Sequence, residues 1–229
     1  MEGVHIIREL SLRLLITSIL CIGFGVAFGY ISAAIGNDTI VEFDTAVIGF
    51  VQGLETPWLT SIMKLFTWIG SGYVVASITL FGFIVLYFVL RYRQQAFLLI
   101  SVVAGSVLLN KLLKNYFKRE RPDIHRIMDV NGFSFPSGHS MMAFALYAII
   151  AYIAWRNVKT TVGRVLFVVF TAFMIIMIGT SRIYLGVHYP SDIFGGFVAS
   201  ALWLTIAISV SAYFQNKREK KETPFHVNE

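Results

Sequence analysis

The sequence predicts an all-α fold, a six-span transmembrane helical bundle with an interfacial helix in the first outer loop. Composition is the first of three observations behind this. Of 229 residues, 56% are hydrophobic and only 14% charged, with mean hydropathy +0.70. Soluble domains run nearer 45–50% apolar and about 25% charged. The second is a series of apolar stretches long enough, or nearly so, to cross the ~30 Å hydrocarbon core as helices. The third is the placing of the basic residues, most of which stand at the ends of those stretches, as they do at bilayer surfaces. A disulfide scaffold is excluded because the single cysteine, Cys21, lies inside an apolar run. The net charge of +6 forms no basic stripe interleaved with exposed aromatics, so no nucleic-acid partner is expected.

Residues 14–34 carry no charge and form the first span. Arg8 and Arg13 precede it as they would in a signal peptide, but the run exceeds the roughly 7–15 residues of a signal core. An uncleaved helix is therefore expected. Within it, Gly25 and Gly29 form a G-x-x-x-G pattern that permits close helix approach. Residues 73–90 form the second span, stopped by Arg91 and Arg93, and residues 96–113 the third. Residues 141–155, 165–180 and 193–214 follow, the first of these reaching spanning length if its helix begins near Ser137. Spanning segments must satisfy their backbone internally, so the bundle is helical. The expected division is a membrane-embedded domain over 1–214 and a mobile cytoplasmic tail over 215–229, too polar to pack.

Orientation follows from the loops. Arg8 and Arg13, Arg91 and Arg93, then Arg156, Lys159 and Arg164, and finally Lys217, Arg218, Lys220 and Lys221 all fall on one side in a six-span frame. The positive-inside rule makes that side cytoplasmic, with both termini there. The first outer loop, residues 37–72, instead carries Asp38, Glu42, Asp44 and Glu55 against a single Lys64. Inside it, Val47, Phe50, Val51 and Leu54 repeat at helical spacing. That segment is a helix, either lying in the interface plane or packed on the bundle.

One outer region breaks the charge rule. Lys114, Lys118, Arg119, Arg121, His125, Arg126 and His139 lie between the third and fourth spans, and Arg182, His188 and Asp192 flank the next outer loop. A lysine point charge beside a planar guanidinium makes a receptor for a tetrahedral dianion. Pro136-Ser137-Gly138-His139 opens the fourth span, where the first helical amides lack intrahelical partners and attract phosphate. Pro190 opens the sixth helix, leaving His188 just outside it and Asp192 in its first turn. A carboxylate so placed can accept from one ring nitrogen and aim the other at a substrate, with histidine as nucleophile.

Lys114-x6-Arg121-Pro122, Pro136-Ser137-Gly138-His139 and Ser181-Arg182-x5-His188-x3-Asp192 resemble the three signature motifs of the type 2 phosphatidic acid phosphatase superfamily, complete and in order. The motif region runs from 114 to 192, and the six-span layout extends the resemblance over nearly the whole chain. The resemblance implies that His188 attacks phosphorus to form a phosphohistidine while Asp192 orients it. It implies that His139 protonates the leaving oxygen and then activates water. Lys114, Arg121 and Arg182 would bind the phosphoryl oxygens, assisted by Ser137 and the Gly138 amide. No metal and no cofactor are implied. The substrate class implied is a phosphorylated membrane lipid, with strongest similarity to bacterial members acting on phosphatidylglycerophosphate and often on undecaprenyl diphosphate. Phosphatidic acid and diacylglycerol diphosphate are further family substrates. A plasma-membrane location with the site at the outer face follows.

Rival readings make distinct claims. His188 and Asp192 stand four apart, a spacing usable for metal ligation, but cations crowding a single carboxylate disfavour a divalent ion. An anion channel or transporter would place its cations near the midplane or in a ring through it, not at one interface. His5, His125 and His226 are expected to be structural. Lys118, Arg119 and Arg126 are expected to be solvated loop charges. Only Lys114, not Lys111, gives the six-residue gap before Arg121.

Overall fold

The computed structural model describes residues 2–123 and 125–222, and among these every regular element is helical. In chain order these are α1 (Glu2–Gly36), α2 (Val41–Gln52), α3 (Pro57–Ile69), α4 (Gly72–Ile84), α5 (Arg93–Phe117), α6 (Gly138–Asn157), α7 (Thr161–Tyr184) and α8 (Pro190–Glu222). A π-helical turn, Val85–Val89, continues α4 to its end. Six segments are long and apolar enough to cross a membrane, drawn from α1, α4 with its π turn, and α5 to α8. The six expected spans are all present: the first gains two residues at its end, the second is shifted by one residue to Gly72–Val89, and the other four are extended at both ends. α8 runs as helix to Glu222, into the segment expected to be a tail, and 223–229 lie outside the described residues.

α6 is the centre. It packs on α4, α5, α7 and α8, and Met141, Ala143, Ala145, Leu146 and Ile149 on it are fully buried. Between apolar helices in lipid, close packing does what water exclusion does in soluble cores. Gly105 illustrates this: a Cβ there would lie 2.1 Å from the Trp203 ring, so glycine lets the indole of α8 sit on the backbone of α5. The same indole donates to Val102 O at 3.0 Å. The outer faces of α1 and α7 present exposed Leu, Ile, Val and Phe side chains, as lipid-facing surfaces must. Gly25 and Gly29 have nothing within 4 Å of a built Cβ, so the G-x-x-x-G pattern packs against no described helix.

The first long loop holds two helices rather than one. α2 seats against α7 and α8, and α3 lies along α7. Both are docked on the bundle: the Tyr184 hydroxyl at the end of α7 accepts from Thr56 N at 3.2 Å and bonds Thr60 Oγ1 at 2.9 Å. Gln52 Nε2 on α2 donates to Tyr184 O at 3.3 Å and to His125 O at 2.9 Å. α2, α3, the end of α5, the start of α6, the end of α7 and the start of α8 thus meet at one end of the bundle.

Candidate active site at the helix ends

Each arm of the site is set by local helix chemistry. α5 stops at Lys118, whose left-handed backbone (φ 48°) ends the helix while its N–H caps Lys114 O at 3.0 Å. Lys114 therefore sits in the last turn. Its Nζ donates to Phe133 O and Ser134 O. Arg121 reaches across the 118–137 loop, donating to Gly132 O at 2.9 Å and Val187 O at 2.7 Å. Asn110 Nδ2 holds Pro136 O at 3.0 Å. Phe135, fully buried, stacks on Phe28 of α1 and meets Phe117 of α5 edge-on. This loop is pinned at many points.

Ser137 is the N-cap of α6. Its Oγ accepts from Ser140 N and Ser140 Oγ, while its own N–H donates to Asp192 O at 3.1 Å. That last bond ties the start of α6 to the start of α8. His139, in the first turn of α6, lies close enough to Arg182, Arg121 and Lys114 for their charges to reach it. Arg182, on the last turn of α7, is 1% exposed. Its Nη1 donates to Thr67 Oγ1, and its Nε is buried without a partner among the described residues.

His188 and Asp192 complete the cluster, at 2% and 0% exposure. Asp192 Oδ2 lies 3.2 Å from His188 Nδ1, accepts from Tyr189 N at 2.9 Å and accepts from the Ser134 hydroxyl. Arg121 Nη1 stands 3.1 Å from His188 Nε2. Arginine can only donate, so Nε2 is the acceptor and the ring proton sits on Nδ1, facing the carboxylate. Burial pushes the imidazole down to about 3, against the raising pull of Asp192. The ring is neutral at pH 7 with a lone pair on Nε2, as a nucleophile requires.

A stability consequence follows. The unfolded chain binds a proton at His188 near pH 6.5, which the folded state takes up only near 3, so stability falls as the pH drops through that window. The slope is up to about 1.4 kcal/mol per pH unit. Unfolding midpoints of detergent-solubilised protein at pH 7.5 and 5 should therefore differ more for the wild type than for His188→Gln. Equal differences would contradict a buried neutral imidazole.

The charge count is informative. Lys114, Arg121 and Arg182 make no ion pair with a carboxylate among the described residues, whereas Arg119 pairs with both Asp44 and Asp192. Four cations against two carboxylates leave two positive charges around a neutral histidine, the complement of a phosphate dianion. Among the described residues no three His, Cys, Asp or Glu side chains group as metal ligands. A cavity of about 500 Å³ opens beside Lys114, lined also by Asn110, Lys111, Asn115, Gly132 and Phe133.

All eight residues singled out from sequence lie at this end of the bundle. The expectation for Arg119 is overturned: it is no solvated loop charge, but a mostly buried guanidinium held by two carboxylates. The sequence reading places Asp44 only among the acids of the first outer loop and gives Ser134 and Ser191 no part in the site. His125 pairs with Glu55 at 2.9 Å on the surface, and Arg126 bonds Pro122 O at 2.6 Å beside Asp123.

Cations and a buried histidine meeting at one set of helix ends in an apolar bundle form a receptor for a phosphate group. The chain belongs to the PAP2 superfamily, whose profile matches residues 95–216. It is 29% identical over 195 residues to phosphatidylglycerophosphatase B of Bacillus subtilis (strain 168), covering 84% of this chain and 95% of the relative. The crystal structure of the first transmembrane PAP2 type phosphatidylglycerolphosphate phosphatase from Bacillus subtilis matches with a TM-score of 0.75 at 27% identity, over 84% of this chain and 96% of that one. The protein named "Putative undecaprenyl-diphosphatase YbjG" of Escherichia coli (strain K12) is 28% identical over 115 residues, 48% of this chain and 54% of the relative. The protein is thus a multi-pass membrane enzyme acting on a lipid phosphate.

Proposed function

We propose that the protein hydrolyses the phosphomonoester of phosphatidylglycerophosphate at the outer face of the plasma membrane, releasing phosphatidylglycerol and phosphate. The observation that carries this reading is the surplus of two positive charges, with an unpartnered buried Arg182 Nε, around a neutral His188. The near full-length similarity to a phosphatidylglycerophosphatase directs the choice of lipid. Undecaprenyl diphosphate is the second substrate we propose, favoured by the similarity to YbjG. Both lipids carry a second phosphate beyond the one removed, and the cavity holding Lys111 and Asn115 beside Lys114 offers that group a place.

His188 Nε2 attacks phosphorus in line, its bond to Arg121 giving way to the phosphoryl oxygens. The P–O bond to the leaving group breaks, and His139 gives its proton to the departing oxygen. His139 then takes a proton from water, which attacks the phosphohistidine and frees inorganic phosphate. Lys114, Arg121 and Arg182 balance charge on the equatorial oxygens, with Ser137 and the Gly138 amide beside them. General acid help of this kind is worth about 10²–10⁴ in rate, and preorganised cations supply much of the remainder. Asp192 keeps the Nδ1 proton in place and stabilises the imidazolium character that develops on attack. With both termini cytoplasmic, the site meets headgroups of the outer leaflet. The embedded domain ends near residue 214.

The test is phosphate release from each lipid in mixed micelles at equal mole fraction, beside phosphatidic acid. Release from phosphatidylglycerophosphate several-fold above the others supports the first reading, and a preference for undecaprenyl diphosphate the second. Release from none of them by folded protein would remove the lipid assignment. The same assay with excess chelator should keep its rate within about twofold, since the mechanism draws on no metal. A chelator-abolished rate restored by one divalent ion would refute that.

A further inference from the structure

The lone ion-paired arginine of the site is the group with no role in this scheme. Arg119 is 15% exposed and spans two carboxylates. Nη1 donates to Asp192 Oδ1 at 2.7 Å and to Ser191 Oγ at 2.8 Å, and Nη2 donates to Asp44 Oδ2 at 2.9 Å. Its guanidinium also lies 4.0 Å from the centre of the Tyr189 ring. Asp44, in the first turn of α2 and 1% exposed, accepts from Ser191 N at 2.8 Å and Ser191 Oγ at 2.6 Å.

The bonds divide Asp192 between its oxygens. Oδ2 serves His188, Ser134 and the Tyr189 amide, while Oδ1 is held by Arg119. A carboxylate fixed on one side by a guanidinium cannot rotate its other oxygen away from the imidazole. A buried acid also needs a cation to stay ionised, and among the described residues Arg119 is the one that ion-pairs with Asp192 through its guanidinium. Arg119 itself is aimed by Asp44, which belongs to a helix from a different part of the chain, docked on α7 and α8.

We propose that Arg119 and Asp44 are positioning residues for the phosphoryl-transfer step, acting through Asp192 to hold His188 ready for attack. The proposal rests on the catalytic reading above. It makes α2 part of the catalytic apparatus, because the first outer loop supplies the residue that aims Arg119.

Turnover is measured with the lipid that gives the highest wild-type rate, in Arg119→Met, Arg119→Lys, Asp44→Asn, Asp192→Asn and the double variant Arg119→Met/Asp192→Asn. Arg119→Met is expected to lower kcat about 10–100-fold, the range seen for outer partners that orient metal-ligating histidines, with KM within about threefold. Arg119→Lys, keeping the charge but not the fork, and Asp44→Asn should each lose less. The decisive reading is the double variant. If Arg119 works through Asp192, adding Arg119→Met to Asp192→Asn costs at most about threefold more. Multiplied losses would show that Arg119 acts on its own and would overturn the proposal. So would a near-normal kcat in Arg119→Met, or a raised KM at unchanged kcat, which would make it a substrate ligand. Should Arg119→Met fail to fold, Asp44→Asn with and without Asp192→Asn reads the same coupling, with the same outcomes deciding. A wild type inactive on every lipid phosphate sinks the catalytic reading and this proposal with it. An active wild type beside an equally active Arg119→Met sinks this proposal alone.

Discussion

His188→Ala should release no measurable phosphate from any lipid, a fall of at least about 10⁵-fold, while the protein still folds. Removal of a nucleophile costs rates of that order because no other group can take over its bond to the reacting atom. Asp192→Asn should be milder, about 10³–10⁴-fold, since the nucleophile remains and only its tautomer and orientation are lost. The ordering of these two losses is the diagnostic. It separates a histidine that attacks from one that merely binds, for which loss of either partner would chiefly raise KM. A second readout bears on the intermediate. Rapid alkaline quench of turning-over wild type should trap phosphate bound to protein in an acid-labile, base-stable form, and His188→Ala should trap none. Unchanged turnover in His188→Ala would mean that another group attacks phosphorus and would remove His188 from the mechanism.

Much of this site was legible in the sequence because its elements are local. Ser137 as a helix cap, Pro190 as a helix start and Asp192 one turn beyond His188 are short-range relations that spacing alone conveys. The spans were legible because lipid demands long apolar helices and little else. Arg119 shows where this stops. Two residues before the motif arginine, it reads as one more loop cation, and its partner Asp44 lies 75 positions away among several acids of the first outer loop. Nothing in local spacing tells Asp44, fully buried, from Asp38 or Glu42, which stay exposed. Ser134 was missed for a related reason. Its hydroxyl matters only because Ser134 N–H to Arg119 O, at 2.7 Å, brings the loop back onto the start of α8. The G-x-x-x-G in α1 errs the other way, a readable pattern with no described partner.

Gly186→Ala should unfold or severely destabilise the site end of the molecule, although the residue touches no substrate. Gly186 lies in the turn between α7 and α8 with φ +71°, a conformation that disfavours any side chain by about 1 kcal/mol or more. The larger effect is steric. A Cβ there would stand 1.9 Å from His125 O, and 3.0 Å from Gln52 Nε2. The first neighbour is backbone, and it cannot swing aside as a side chain would. Ile127 N–H donates to Leu185 O at 3.1 Å beside this contact, and Gln52 clamps the same carbonyl of His125. Pushing the 125 segment outward therefore strains both bonds and pulls on the turn that carries Val187 and His188. Overpacking of this kind typically costs about 1–3 kcal/mol beyond the backbone penalty. The variant should show a lowered unfolding midpoint in micelles, and any folded fraction should have reduced kcat, because Val187 O is also a ligand of Arg121. Wild-type stability and turnover together in Gly186→Ala would mean the two loops are not pressed together as described.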